Sequence, residues 1–196
     1  MMGLVNLPNS LTLIRIILTP LLVYLLIYIS EVGSILAAAV FLAAALTDWL
    51  DGHLARRRRQ VTNLGKLLDP VADKILVAAA FISMVQIDLV PGWMVILIVA
   101  REFAVTGLRG IAATQGVVIE ARELAKYKTA LQYVTIILLI LQTSISIDFQ
   151  DYYAYFATGA LWMTLGITLY SGVDYFVRFF RSGDVTAMVK REDRWH

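Results

Sequence analysis

Six stretches of the chain are almost continuously apolar, and short polar or charged segments separate them. They run roughly Leu11–Ile29, Ser34–Leu50, Pro70–Ile87, Trp93–Ala112, Thr129–Ile147 and Tyr155–Phe176. A helix needs about 20 apolar residues to cross the hydrocarbon core of a bilayer, and all six are near that length. The pattern predicts an all-α, polytopic membrane protein with six transmembrane helices. The second stretch is the shortest and runs straight into charged sequence. No internal repeat or low-complexity linker interrupts the series, so residues 1–196 read as one integral membrane domain.

Composition agrees with the pattern. Hydrophobic residues make up 59% of the chain and charged residues 16%, whereas a soluble domain is about half apolar and a quarter charged. Six spans with short loops use up the 196 residues, so any chemistry must be built from the spans and their ends. There is no cysteine, which excludes disulfide and thiolate chemistry. The N-terminus lacks the features of a cleaved secretory signal, so the first apolar stretch is expected to remain as a membrane helix. A total charge of +2 decides nothing, and no nucleic-acid partner is expected.

The distribution of charge is more informative. The turn after span two carries Arg56, Arg57, Arg58, Arg59 and Lys66. The turn after span four carries Arg122, Lys126 and Lys128, and the tail carries Arg181, Lys190, Arg191 and Arg194. The other three turns hold Glu31, Asp88, Asp148 and Asp151 and no lysine or arginine. By the positive-inside rule both termini and the basic turns are cytoplasmic. The expected location is the cell membrane, multi-pass, among membrane lipids. Arg57 to Arg59 read equally as a topology signal and as contacts to anionic headgroups.

Four aspartates lie near the cytoplasmic ends of spans two and three. Asp48 and Asp51 are three apart and Asp69 and Asp73 four apart, so each pair shares a helix face. Two adjacent helices can then direct four carboxylates into one gap. Such a cluster repels itself and is costly at membrane depth. Hard divalent cations, Mg²⁺ or Mn²⁺, would neutralise it through oxygen ligands. The competing reading is that each Asp only ends a helix. Asp69 before Pro70 does look like an N-cap with proline at the first helical position. That leaves Asp73 unexplained, and it leaves Asp48 and Asp51 near a helix C-terminus, where the dipole disfavours negative charge. Gly52, Ala55 and Gly65 are interleaved with the acids and give the close access that a bulky nucleotide diphosphate requires.

From Asp48 to Asp73 the chain reads D-x2-D-G-x2-A-R-x8-G-x3-D-x3-D, eight fixed positions over 26 residues. This resembles the signature of the CDP-alcohol phosphatidyltransferases at every position, and that family likewise has six spans. A narrower likeness, to the bacterial branch that makes phosphatidylglycerophosphate, lies in three segments. They are Asn6 to Arg15, Ala100 to Arg109, and Lys126-Tyr-Lys128-Thr129. Ala125 stands where that branch is expected to carry glycine. The resemblance implies that Asp48, Asp51 and Asp69 bind two divalent cations and that Asp73 touches the metal site and acts as general base. It implies that Asn9, Thr12, Gly52, Arg56 and Thr62 hold the CDP part of CDP-diacylglycerol. It also implies sn-glycerol 3-phosphate as acceptor, CMP as leaving group, and a homodimer.

An acceptor that carries a phosphate needs cations. Arg101 lies mid-span with Glu102 beside it, Arg109 lies eight residues on, and Lys126 and Lys128 precede span five. Together they could form a cytosol-facing phosphate pocket. Arg101 reads alternatively as an ion pair that only joins helices, and the two lysines as topology signals. A divalent-ion transporter would spread its acids through the membrane depth, whereas these cluster at one side. A structural scaffold leaves the cluster unexplained, and another acceptor, serine or an inositol phosphate, stays open. The orientation is directly testable because the chain has no cysteine. A cysteine placed at Gln60 should be labelled only from the cytoplasmic side, and one at Gln150 only from the opposite side. Reversed or equal labelling would overturn the topology.

Overall fold

The computed structural model describes residues 7–28, 30–58, 63–114, 123–145 and 147–192, with side chains described over 14–28, 30–47, 71–112 except 73, 127–145 and 149–181. Among the described residues there are six α-helices and no strand. They are α1 (Leu7–Ile27), α2 (Glu31–Arg58), α3 (Asn63–Gln86), α4 (Gly92–Thr114), α5 (Glu123–Leu141) and α6 (Ile147–Glu192), with a 3₁₀ turn, Gln142–Ser144, before α6. The all-α expectation holds, with one helix for each apolar stretch.

The helix ends differ from those expected, and most of the differences are extensions into charged sequence. α2 continues past Leu50 to Arg58, so Asp51 through Arg58 are helical and not a turn. α3 begins at Asn63, which places Lys66 and Asp69 inside it. Asp69 is therefore no N-cap, and Pro70 sits in the interior, where it cannot donate to the carbonyl one turn back. Lys126 and Lys128 belong to α5, which stops at Leu141, short of the expected Ile147. α6 is far longer than its apolar core predicts. Hydropathy marks where a helix must be dry, but a helix continues wherever its backbone bonds can still be made.

Local caps explain several ends. Ser30 Oγ accepts the Gly33 amide at 3.0 Å and so caps α2. α3 closes on a Schellman pattern: Leu89 N–H donates to the Met84 carbonyl at 2.9 Å and Asp88 N–H to the Val85 carbonyl at 3.2 Å. Asp88 takes the left-handed position with φ of 58°. The 3₁₀ turn is tied to the start of α2: Ser144 Oγ donates to the Glu31 carbonyl at 3.2 Å, and the Ser34 and Thr143 hydroxyls bond to each other.

α1 packs against both α2 and α3, α5 against α2 and α6, and α4 against α6 and α3. Leu22, Leu26, Phe41, Leu76, Phe81, Met84, Ile98, Ile136, Leu139 and Ile140 are fully buried at the centre. Buried Ala37, Ala44 and Ala80 allow close helix approach. Phe41 meets Tyr133 edge-on at 5.6 Å. The polar pattern is unusual. Arg15, Ser34, Lys128, Gln132, Thr135, Thr164 and Thr168 are buried, while Ile17, Tyr24, Val32, Ile82, Ile96, Trp162, Val173 and Phe180 are exposed. Taken alone, one stretch, Phe149–Arg181, combines the length and apolarity to cross a membrane among the described residues. α4 has the length, but it carries Arg101, Glu102 and Arg109 within it.

The Asp88 turn gives a stability test. A left-handed conformation costs an L-residue roughly 1–2 kcal/mol relative to glycine, and the glycine forfeits part of that through unfolded-state entropy. Asp88→Gly should therefore raise stability by up to about 1 kcal/mol, and Asp88→Val should lower it. Unfolding of the purified protein in detergent reads both.

Candidate active site

α2 and α3 carry the aspartates. Asp48 and Asp51 stand at i,i+3 within one uninterrupted helix, and Asp69 and Asp73 at i,i+4 within another. Both helices pack on α1 and touch each other. The backbone thus keeps each pair on one face, as the spacing predicts. The side chains of these four residues lie outside the described residues, as do those of Asn9, Thr12, Ala55, Arg56 and Lys126. Gly52 and Gly65 fall in α2 and α3 within the same stretches, and Thr62 lies outside the described residues altogether. As a donor set, four carboxylates are all oxygen, which suits a hard divalent cation.

The expected cationic pocket is only partly assembled. Glu102 is its centre. Its Oε1 accepts from Arg101 Nη1 at 3.1 Å and also from Lys128 Nζ, so one carboxylate oxygen joins α4 to α5. Arg101 Nη2 donates to Ser171 Oγ on α6 at 2.8 Å. Lys128 is buried. Arg109 is separate: it is exposed on α4, and its guanidinium lies 5.7 Å from the ring centroid of Tyr175 on α6. Eight residues from Arg101 place it about 12 Å further along the helix axis. The structure therefore brings Arg101 and Lys128 together and leaves Arg109 one step outward on the same α6-facing side.

A small cavity of about 20 Å³ opens between α3, α4 and α5, lined by Lys74, Glu102, Thr129, Gln132 and Tyr133 among others. That is room for about one water. Gln132 Nε2 is buried with no hydrogen-bond partner among the described residues. Lys74 directly follows Asp73 in α3, so the cavity connects the helix of the acidic pair to the carboxylate that gathers the cations. On the other flank of α4 an open, mostly apolar groove of about 430 Å³ runs between α4 and α6, with Arg101 among its lining residues.

Several contributors carried no sequence signal. Gly172 is one: a Cβ there would fall 2.9 Å from Arg101 Cγ, so glycine makes room for the arginine stem. Ser171, Gln132 and Tyr175 are common residue types whose roles follow only from helix packing. Arg15 was visible in the first segment but unassigned. It is 1% exposed, and its Nε donates to the Ala44 carbonyl at 3.4 Å, one turn before Asp48.

The signature across α2 and α3 and the all-helical fold point to a membrane-associated transferase of activated lipids. The chain belongs to the CDP-alcohol phosphatidyltransferase family, whose pattern it matches over residues 5–170. It is 44% identical to the CDP-diacylglycerol–glycerol-3-phosphate 3-phosphatidyltransferase of Bacillus subtilis, covering 87% of this chain and 93% of that one. It is 38% identical to the protein of the same name from Rickettsia typhi, over 87% of this chain and 95% of the relative. It is 33% identical to a CMP-forming cardiolipin synthase of Oryza sativa, over 91% of this chain and 58% of the relative.

Two glycines of α6 separate local propensity from contact. Nothing lies within 4 Å of a Cβ added at Gly166, so Gly166→Ala should gain up to about 1 kcal/mol from helix propensity. Gly172→Ala has the same gain but must displace a stem that Glu102 and Ser171 hold at its far end. It should be net destabilising, since forcing an extra methyl into a packed site costs roughly 1–3 kcal/mol. Equal stability of the two variants would show that Arg101 is not seated as described.

Proposed function

We propose that the chain transfers the phosphatidyl group of CDP-diacylglycerol to sn-glycerol 3-phosphate, giving phosphatidylglycerophosphate and CMP in phospholipid biosynthesis. The names of the relatives at 37–44% identity support this reading. The observation that carries it to the site is the adjacency of Asp73 to Lys74, whose cavity is shared with the carboxylate holding Arg101 and Lys128. This adjacency supports reading a base and an anion-binding cluster on neighbouring helices.

The chemistry follows from that adjacency. The acceptor hydroxyl attacks the phosphorus that bears diacylglycerol. A new P–O bond forms, the P–O bond to CMP breaks, and the hydroxyl proton passes to Asp73. Asp48, Asp51, Asp69 and Asp73 would hold two divalent cations, Mg²⁺ or Mn²⁺, which when bound neutralise charge on the diphosphate. Gly52, Ala55 and Gly65 leave space along α2 and α3 for the nucleotide, with Asn9, Thr12, Arg56 and Thr62 as its polar contacts. Arg101, Lys126 and Lys128 take the acceptor phosphate, with Arg109 one step outward along its approach, and an acceptor lacking a phosphate, such as serine or inositol, has less use for them. Catalysis in such a step is mostly positioning and charge stabilisation.

The family is membrane-associated, and the apolar exterior together with the buried polar groups supports six spans in lipid. We read both termini and the active site as cytoplasmic, from the basic segments. The homodimer rests on the family likeness.

The test is CMP release by the purified protein from CDP-diacylglycerol with a panel of acceptors. Glycerol 3-phosphate should be used in preference to serine, inositol, free glycerol and phosphatidylglycerol. Chelation should abolish release, and Mg²⁺ or Mn²⁺ should restore it. Asp73→Asn should remove turnover yet retain CDP-diacylglycerol binding. Arg109→Ala should raise the acceptor KM about 10- to 100-fold, as loss of a charged hydrogen bond predicts. Faster turnover of any other acceptor, or full activity without metal, would sink the reading.

A further inference from the structure

Glu102 stands out because its carboxylate joins cations from two helices, α4 and α5. Its Oε1 takes hydrogen bonds from both Arg101 and Lys128. Arg101 is fixed at three points. Gly172 leaves room for its stem, Ser171 takes one terminal nitrogen at 2.8 Å and Glu102 takes the other at 3.1 Å. Lys128 is only 4% exposed, so its ammonium needs an anionic partner where it sits. Glu102 also lines the cavity that reaches Lys74 and, through sequence, the helix of Asp73.

A carboxylate next to an anion site is at first sight unfavourable, since it repels the incoming phosphate. Its positions here explain why it is tolerated. One Glu102 oxygen uses one N–H of Lys128 and one of Arg101. An ammonium has three N–H donors and a guanidinium five, so donors remain on both cations for a second anion. The two cations outweigh the one acid, which leaves the cluster attractive to a phosphate. What the acid supplies is geometry: without it, a buried lysine and a half-buried arginine repel one another between α4 and α5.

We propose that Glu102 is a positioning residue for the acceptor. It holds Lys128 and one edge of Arg101 in register for the acceptor phosphate and does not itself touch the acceptor. The proposal rests on the reading above that Arg101 and Lys128 bind that phosphate. The competing role is purely structural, a pin between α4 and α5.

The two roles separate in steady-state kinetics on the full-length protein, read as CMP release against each substrate in turn. Glu102→Gln keeps shape and removes charge. It should raise the glycerol 3-phosphate KM by on the order of 10-fold or more while the CDP-diacylglycerol KM stays within about twofold. Glu102→Asp, which keeps the charge on a shorter stem, should fall between. Because Glu102 acts through Lys128 and Arg101, Glu102→Gln with Lys128→Met should lose less than the product of the two single losses. Multiplied losses in the double variant would overturn the proposal. So would a parallel decline for both substrates in folded Glu102→Gln protein, since that is what a structural pin gives. A raised acceptor KM in Lys128→Met beside a wild-type value in Glu102→Gln would defeat the proposal and leave the acceptor site standing. Unchanged acceptor kinetics in Lys128→Met would defeat the acceptor site itself. Should Glu102→Gln fail to fold, Glu102→Asp carries the test, and a wild-type acceptor KM there is an equally clear negative.

Discussion

Charge inside an apolar bundle persists only where it is paired, and that constraint organises this molecule. Taking an ion out of water is expensive, and mutual attraction repays the cost only with good geometry and satisfied donors. The Arg101–Glu102–Lys128 cluster meets the condition by joining α4 to α5 through one carboxylate oxygen, with Ser171 of α6 completing Arg101. Those contacts set the relative rotation of the three helices. Gly172 exists in that frame because no side chain fits beside the arginine stem.

The same constraint accounts for how the bundle holds together. Lipid tails are as apolar as leucine, so helices in a bilayer gain little from burying leucine against leucine. Close packing and internal polar contacts do more. Ala37, Ala44 and Ala80 bring backbones near, and Thr135 and Thr164 bond across α5 and α6 at 2.8 Å. Such interhelical bonds average only about 0.6 kcal/mol each. They nonetheless fix register, because each has one partner geometry.

On the proposed reading, function uses the two halves differently. α1, α2 and α3 pack together and carry the aspartates and the residues assigned to the nucleotide, while α4, α5 and α6 carry the cations assigned to the acceptor. The halves meet where α2 contacts α5 and where α3 contacts α4 and α5, the latter around the cavity of Lys74, Glu102 and Gln132. An acceptor phosphate and an activated lipid phosphate can then be held by separate elements and presented to each other. Two anions must approach in this reaction, and a scaffold that anchors each on its own set of helices supplies the positioning that such steps need.

Much of this was legible in the chain itself. The six apolar runs gave six helices, because hydropathy reports directly on which segments must avoid water. The aspartate spacings gave shared faces, because the helical period is local and needs no partner. The eight-position signature pointed to the family before any fold was known. The helix ends were not legible: Asp69 and Pro70 looked like a helix start, yet α3 begins at Asn63, because a helix continues wherever its backbone bonds can still be made. Nor was the pairing of Arg101, Glu102 and Lys128 legible. A charged residue within an apolar run announces that it needs a partner, but the partner is chosen by how helices distant in sequence rotate against one another. Glu102 and Lys128 lie 26 residues apart, and Arg101 and Ser171 lie 70 apart. Only the tertiary structure brings such groups within the 3 Å at which charge and hydrogen bonding select one arrangement.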